Sequence, residues 1–205
     1  MLSIDTTAII NSPERQQTLH HFVKNCMVKG TDYGVIPGTN SKPTLLKSGA
    51  EKLLRFFSLS ADISLCYSIE DFRGSEYGEP LFYYRYRCCL TWQNQLIATC
   101  EGSCNSWEKK YRYREQKPTC PRCGQPTIRK SENEYYCWKK IGGCGAKFPL
   151  TFEQITSQKT GLVPNPEIFD QINTLQKMAI KRSLVGAVLI ATGASEYFTQ
   201  DLEDR

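Results

Sequence analysis

The chain has 205 residues, 40% of them hydrophobic and 23% charged, with a formal net charge of +5. A chain of this size and composition can bury a core as one sizeable domain, or one domain with a small insert, and it holds no internal repeat or low-complexity tract. No apolar run approaches the ~18 residues of a membrane span, and MLSIDTTAIINSPERQQ has no basic start leading into an apolar stretch, so neither membrane nor export is expected and the cytoplasm is the expected compartment. In that setting the ten cysteines read as thiols and metal ligands, not disulfides.

Ser12-Pro13-Glu14 predicts a helix start, with Ser12 as cap and Pro13 in the first turn. Leu19, Phe22, Val23 and Cys26 then recur at helical spacing. Gly30, Gly34, Pro37 and Gly38 break that helix into a loop, and Ser48 with Glu51 reads as the capping box of a second helix carrying Leu53, Leu54, Phe56 and Phe57. Three strands follow. Ile63–Phe72 is apolar and β-prone. Leu81–Trp92 alternates, with Phe82, Tyr84, Tyr86, Cys88 and Leu90 on one face and Tyr83, Arg85 and Arg87 on the other. Gln93-Asn94 turns the chain tightly into Gln95–Cys104. A polar stretch reaches Pro164, and Asn165-Pro166-Glu167 predicts the start of the longest helix, whose stripe is Ile168, Ile172, Leu175, Ala179, Leu184, Ala187, Val188 and Ala191, with Gly193 closing it.

The fold class expected is α+β, a three-stranded antiparallel meander covered by the long C-terminal helix, because such a meander cannot bury a face alone. The expected parts are N-terminal helices and meander in residues 1–104, a basic insert in 105–150, and the C-terminal helix with an acidic tail in 151–205.

Within the insert the spacing is C-x2-C-x13-C-x6-C, from Cys120, Cys123, Cys137 and Cys144. Cys123-Gly124 and Cys144-Gly145 place a glycine after the second cysteine of each half, where the backbone must turn for amides to approach the thiolates. Four thiolates with no histidine or acid at ligand spacing describe a closed, structural zinc site in a ribbon. The six residues between Cys137 and Cys144 exceed the usual two to four, and Gly142-Gly143 makes the longer loop feasible. The remaining cysteines (Cys26, Cys66, Cys88, Cys89, Cys100 and Cys104) fall on helix or strand patterns as small core residues.

No enzyme is expected. Zinc deaminases need an H-x-E beside their P-C-x-x-C, whereas His20 and His21 are the only histidines and Phe22 and Val23 follow them. A catalytic triad has no further histidine to use. A metal-dependent nuclease needs clustered carboxylates, and Glu70-Asp71 and Asp201, Glu203 and Asp204 sit at surface turns or the tail.

From Asn105 to Leu150, eleven lysines and arginines stand against four acids. Four thiolates and a zinc ion remove two charges, so the segment remains the basic pole, a surface suited to phosphates. Arg85 and Arg87 beside Tyr83, and Lys109, Lys110, Tyr111, Arg112, Tyr113 and Arg114, interleave cations with flat rings as single-strand binding grooves do. Lys177, Lys181 and Arg182 place cations on a helix otherwise built for packing.

A helix ending LRFFSL, then a meander, then KMAIKRSLVGAVLIATGA resembles the single-strand annealing proteins, the Erf, Sak and RecT types of phages and their eukaryotic double-strand-break-repair counterpart. Arg87–Glu108 looks like that superfamily's strand-turn-strand unit with its Gly-x-x-x-Ser edge, and Lys177–Gly193 like its basic helix. The resemblance covers about 110 residues. It implies a ring or filament of identical chains, single-stranded DNA in a basic groove between sheet and helix, and annealing without nucleotide hydrolysis. It carries DNA backbone contact to Lys181 and Arg182, and to Lys47 at the second helix. The loop KGTDYGVIPGTNSKPTLLKSGAEKL is similar to phage and plasmid proteins, and the zinc insert departs from the superfamily's pattern. The alternative reading is a zinc-bearing adaptor in a larger nucleoprotein or defence complex, its acidic tail meeting a protein partner.

Overall fold

The computed structural model describes residues 13–35 and 42–200. The Ser12 cap, the Pro37-Gly38 part of the loop and the acidic tail at Asp201, Glu203 and Asp204 lie outside the described residues. The chain divides into two compact units, residues 1–105 with 172–205, and residues 106–171. The second unit therefore takes in residues 151–171, which the sequence reading placed with the C-terminal helix. Among the described residues no helix is long and apolar enough to cross a membrane.

In the first unit, helix α1 (Pro13–Cys26) buries Leu19 and Phe22, and the Phe22 ring stacks on Phe56 at 4.1 Å. Cys26, expected in the apolar stripe, is exposed at the end of the helix. The chain then makes a short ladder of β1 (Tyr33–Gly34) and β2 (Thr44–Leu45). Helix α2 (Lys47–Phe56) starts one residue before the expected Ser48, with Leu46 at the cap position and no side-chain capping bond. The Ser48 hydroxyl instead donates to the Thr31 carbonyl, so the expected capping box does not form. Gly49 lets α2 approach the loop, since a Cβ there would lie 2.2 Å from the Asp32 carbonyl oxygen.

Strands β3 (Ser60–Asp71), β4 (Leu81–Trp92) and β5 (Gln95–Asn105) form an antiparallel sheet with β4 in the centre. Gln93 and Asn94 both take positive φ, 48° and 66°, the conformation in which a two-residue hairpin matches the twist of its strands. Phe82, Tyr84, Cys88 and Leu90 are wholly buried on one face, while Arg85 and Arg87 are exposed on the other, as alternation requires. Bulges between Leu65 and Tyr67 and between Leu90 and Thr91 shift the register.

The long helix α5 (Ile172–Thr192) starts seven residues after the expected Asn165. Asn165 accepts the Glu167 amide at 3.1 Å, but the turn it caps is the 3₁₀ segment Ile168–Gln171 of the second unit. Ala179, Ser183 and Gly186 recur at helical spacing and face the sheet. A Cβ on Gly102 would lie 2.3 Å from the Ser183 nitrogen and 2.7 Å from the Ala179 oxygen, and one on Gly186 would lie 2.5 Å from Cys100 Sγ. The helix therefore lies directly on β5. Leu184, Val188 and Ala191, on its other faces, join Leu19, Phe22, Ala50 and Leu53 in one core. Gly193, at φ 71°, ends it in the left-handed conformation.

The second unit holds an antiparallel sheet of β7 (Ile128–Lys130), β8 (Glu134–Cys137) and β9 (Lys147–Pro149). A separate ladder pairs β6 (Tyr113–Gln116) with β10 (Gly161–Pro164). The single-turn helices α3 (Lys109–Arg112) and α4 (Glu153–Thr156) complete it. Its core is small: Ile128 and Ile155 are buried together with Cys120 and Cys137.

Candidate metal centre and cationic surfaces

The four cysteines of the second unit converge. The Sγ atoms of Cys120, Cys123, Cys137 and Cys144 all lie within 4.8 Å of one another, a group able to hold a metal ion. Cys120 and Cys144 approach to 3.8 Å and Cys123 and Cys137 to 3.6 Å. The Cys120–Cys123 half folds as a tight turn in which the Gly124 amide donates to the Cys120 carbonyl at 2.8 Å, with Gly124 at φ 72°. The amides of Arg122 and Cys123 point at the Cys120 sulfur. The second half must span six residues, and it does so through a 3₁₀ turn (Lys139–Ile141) closed by Gly142 at φ 92°. That loop returns the Cys144 amide to Cys137 Sγ at 3.1 Å.

Gly143 lies in a cradle that no other residue fits. A Cβ there would sit 2.6 Å from Cys137 Sγ, 2.6 Å from the Trp138 oxygen and 2.8 Å from Thr127 Oγ1. Burial raises the Cys137 thiol, but the Thr127 hydroxyl at 3.1 Å, the Cys144 amide and the neighbouring sulfurs outweigh it and pull the group down. Burial pushes Cys120 up. The donors gathered on Cys137, the Thr127 hydroxyl and the Cys144 amide, thus favour a thiolate at that sulfur.

The second unit also carries the charge. Residues 106–171 hold twelve lysines and arginines and seven acids, which equals the net charge of the whole chain. Several of these cations rest on aromatic rings. Arg112 is half-buried, its guanidinium carbon 5.1 Å from the Trp107 ring centroid and 5.5 Å from that of Tyr113. Lys110 lies over Tyr111 at 4.8 Å and pairs with Glu108 at 3.4 Å. Arg114 is paired with Glu167, and Lys109 is exposed. Tyr111, expected on an accessible stretch, is buried. Arg129 covers Trp138 at 5.1 Å, a pairing that depends on β7 lying beside the end of β8 and that no local pattern announces.

In the first unit, Arg85 and Arg87 emerge together on the open sheet face, and both are turned toward Glu101. Arg87 Nη2 donates to Glu101 Oε1 at 2.7 Å and Arg85 Nε lies 3.5 Å from Oε2. Tyr67 stands beside Arg85, 5.7 Å from ring centroid to guanidinium carbon, and meets Tyr83 edge-on at 5.9 Å. Lys47 pairs with Glu51 within α2 at 3.5 Å.

The three cations of α5 do not line a trough beside the sheet. At Gly102 the helix and β5 are in backbone contact, and Lys177 and Lys181 lie on the helix face opposite Ala179, Ser183 and Gly186. Lys177 is exposed and Lys181 half-buried. Arg182 reaches the edge of the sheet, where its guanidinium donates to the Ser103 carbonyl at 2.5 Å. Of the thiols outside the metal set, Cys88 and Cys104 are buried as expected, Cys66, Cys89 and Cys100 half-buried. His20 and His21 are both exposed on α1.

No family model matches the chain, and neither the curated proteins nor the solved structures offer a match.

Proposed function

We propose that the chain is a non-enzymatic, cytoplasmic protein that binds single-stranded DNA and anneals complementary strands, as the superfamily it resembles does, with a structural zinc ion in its second unit. The observation that carries this reading is the concentration of the whole net charge in residues 106–171, with Arg112 set between Trp107 and Tyr113. Guanidinium groups on aromatic rings offer phosphates a cation and unstacked bases a flat partner, the combination that single strands present and duplexes withhold. Zinc is favoured by the donor set. A regular tetrahedron with Zn–S of about 2.3 Å has edges of about 3.8 Å, and the sulfur pairs at 3.8 and 3.6 Å lie close to that. With all four positions taken by cysteine the zinc would be closed to water and would hold the unit's fold, supplying no catalysis.

A gel shift with one single-stranded oligonucleotide and its duplex, at about 50 and about 200 mM salt, tests the reading. A site making about four phosphate contacts loses about fiftyfold in affinity between those salts, and the single strand should bind more tightly than the duplex at both. Equal binding to the two, or none, removes the proposal. Light scattering with and without the single strand tests the expected homo-oligomer. A monomer that ignores DNA would favour an adaptor in a larger complex.

A further inference from the structure

Resting on that reading, we infer that Glu101 occupies a second single-strand contact patch on the open face of β3–β5 and must yield its arginines for a phosphodiester to bind there. Two guanidinium groups converge on one carboxylate. Glu101 Oε1 accepts from Arg87 Nε at 3.0 Å and Nη2 at 2.7 Å, and Oε2 faces Arg85 Nε at 3.5 Å. The patch is fixed by register: Glu101 stands opposite Arg87, and Arg85 lies between Tyr67 on β3 and Ser103 on β5. Its rings are half-exposed or exposed and its cations about half-exposed.

A phosphodiester matches the Glu101 carboxylate that the two arginines now hold. Each carries one negative charge and two oxygens that a guanidinium fork can bridge. With Glu101 in place the local balance is one net positive charge. With Glu101 turned out to solvent, two guanidiniums become available and Tyr67 and Tyr83 lie beside them for a base to stack upon. The existing ion pairs do not prevent this exchange, because pairs so open to solvent gain little over the separate, hydrated charges. Glu101 is thus an intramolecular stand-in for phosphate, one that a phosphodiester must displace to reach Arg85 and Arg87.

Substituting Glu101→Gln in the full-length, zinc-loaded chain tests this. One recovered phosphate contact on a single strand is worth about fourfold in affinity at 0.15 M salt and about eightfold at 0.05 M. E101Q should therefore bind a labelled oligonucleotide more tightly by those factors, with a steeper dependence on salt. Glu14→Gln, the same charge change on exposed α1, should give less than half the gain. Arg87→Ala in the E101Q background should cancel it, while circular dichroism of each variant stays that of the parent. If the parent binds and E101Q binds no better than E14Q, the inference is wrong and the binding function stands. If neither the parent nor E101Q binds a single strand, both fall together.

Discussion

Adding one methyl group at Gly143 tests the metal centre more sharply than removing a ligand. Gly143 has no positive φ, so alanine can take its backbone conformation and the effect of Gly143→Ala is purely steric. The new Cβ would stand 2.6 Å from Cys137 Sγ, between the Trp138 oxygen and the Thr127 hydroxyl, two of which are held by the fold. Restoring an ordinary carbon–sulfur separation moves the sulfur or the loop by about 1 Å, several times the ~0.2 Å by which ligand distances in a metal site vary. Zinc affinity should drop by at least the ~10- to 100-fold seen when the outer shell of a metal site is disturbed. Competition against a chromophoric chelator reads that drop directly. Gly124→Ala is the control: its Cβ meets nothing within 4 Å, so it should cost about 1 kcal/mol of stability for its left-handed backbone with little change in affinity. An affinity for G143A within twofold of the parent would refute the geometry assigned to Cys137 and its loop.

Other consequences follow from the first unit and the donor shell. Gly102→Ala drives a Cβ into the Ser183 nitrogen and the Ala179 oxygen and should destabilise by about 1–3 kcal/mol in urea unfolding; an unchanged midpoint would mean that α5 does not lie on β5 as described. Lys52→Met leaves Asp32, wholly buried and bonded to Lys52 Nζ at 2.6 Å, without its counter-charge, at a cost of about 3 kcal/mol, the low end for buried pairs because Lys52 is partly exposed. Burial pushes the Asp32 carboxyl up, but Lys52 and the Val28 amide outweigh it and hold it below the ordinary value of 3.8. Its stabilising share is therefore present above that value and lost as pH falls through the folded one; the acid-unfolding profile of K52M should lack this step. Thr127→Val removes the hydroxyl 3.1 Å from Cys137 Sγ and should weaken zinc binding about tenfold without changing the thermal midpoint of the first unit.

The strand Leu81–Trp92 and its turn were legible because alternation is a local property and Gln93-Asn94 is short. The four-cysteine set was legible for a similar reason: thiolate ligands at knuckle spacing have few competing uses. What the chain hid depends on distant partners. Counting back from the turn places Cys100 opposite Arg87, whereas the bulge at Leu90/Thr91 shifts the register by one and brings Glu101 there instead. The counter-ion of Arg85 and Arg87 could not be read without that bulge. Ser48 and Glu51 have capping-box spacing, but the loop carbonyl of Thr31 takes the Ser48 hydroxyl. Asn165-Pro166-Glu167 has the chemistry of a helix start and caps only a 3₁₀ turn, since the chain passes from one unit to the other at Gln171 and Ile172. Strands β6 and β10 pair residues 45 to 51 apart, and neither alternates strongly enough to be seen alone. Lys181 and Arg182, to which the resemblance assigns DNA backbone contact together, are neighbours in sequence, and 100° per residue sends Lys181 to the back of the helix and Arg182 to the sheet edge.

The most direct trial of the account is the rate at which two complementary, fluorophore-labelled oligonucleotides pair in the presence of the zinc-loaded chain. Energy transfer should appear several times faster than without protein, at about 50 mM salt, with the advantage fading by about 200 mM. Pairing at the spontaneous rate at every protein concentration and both salts would contradict it.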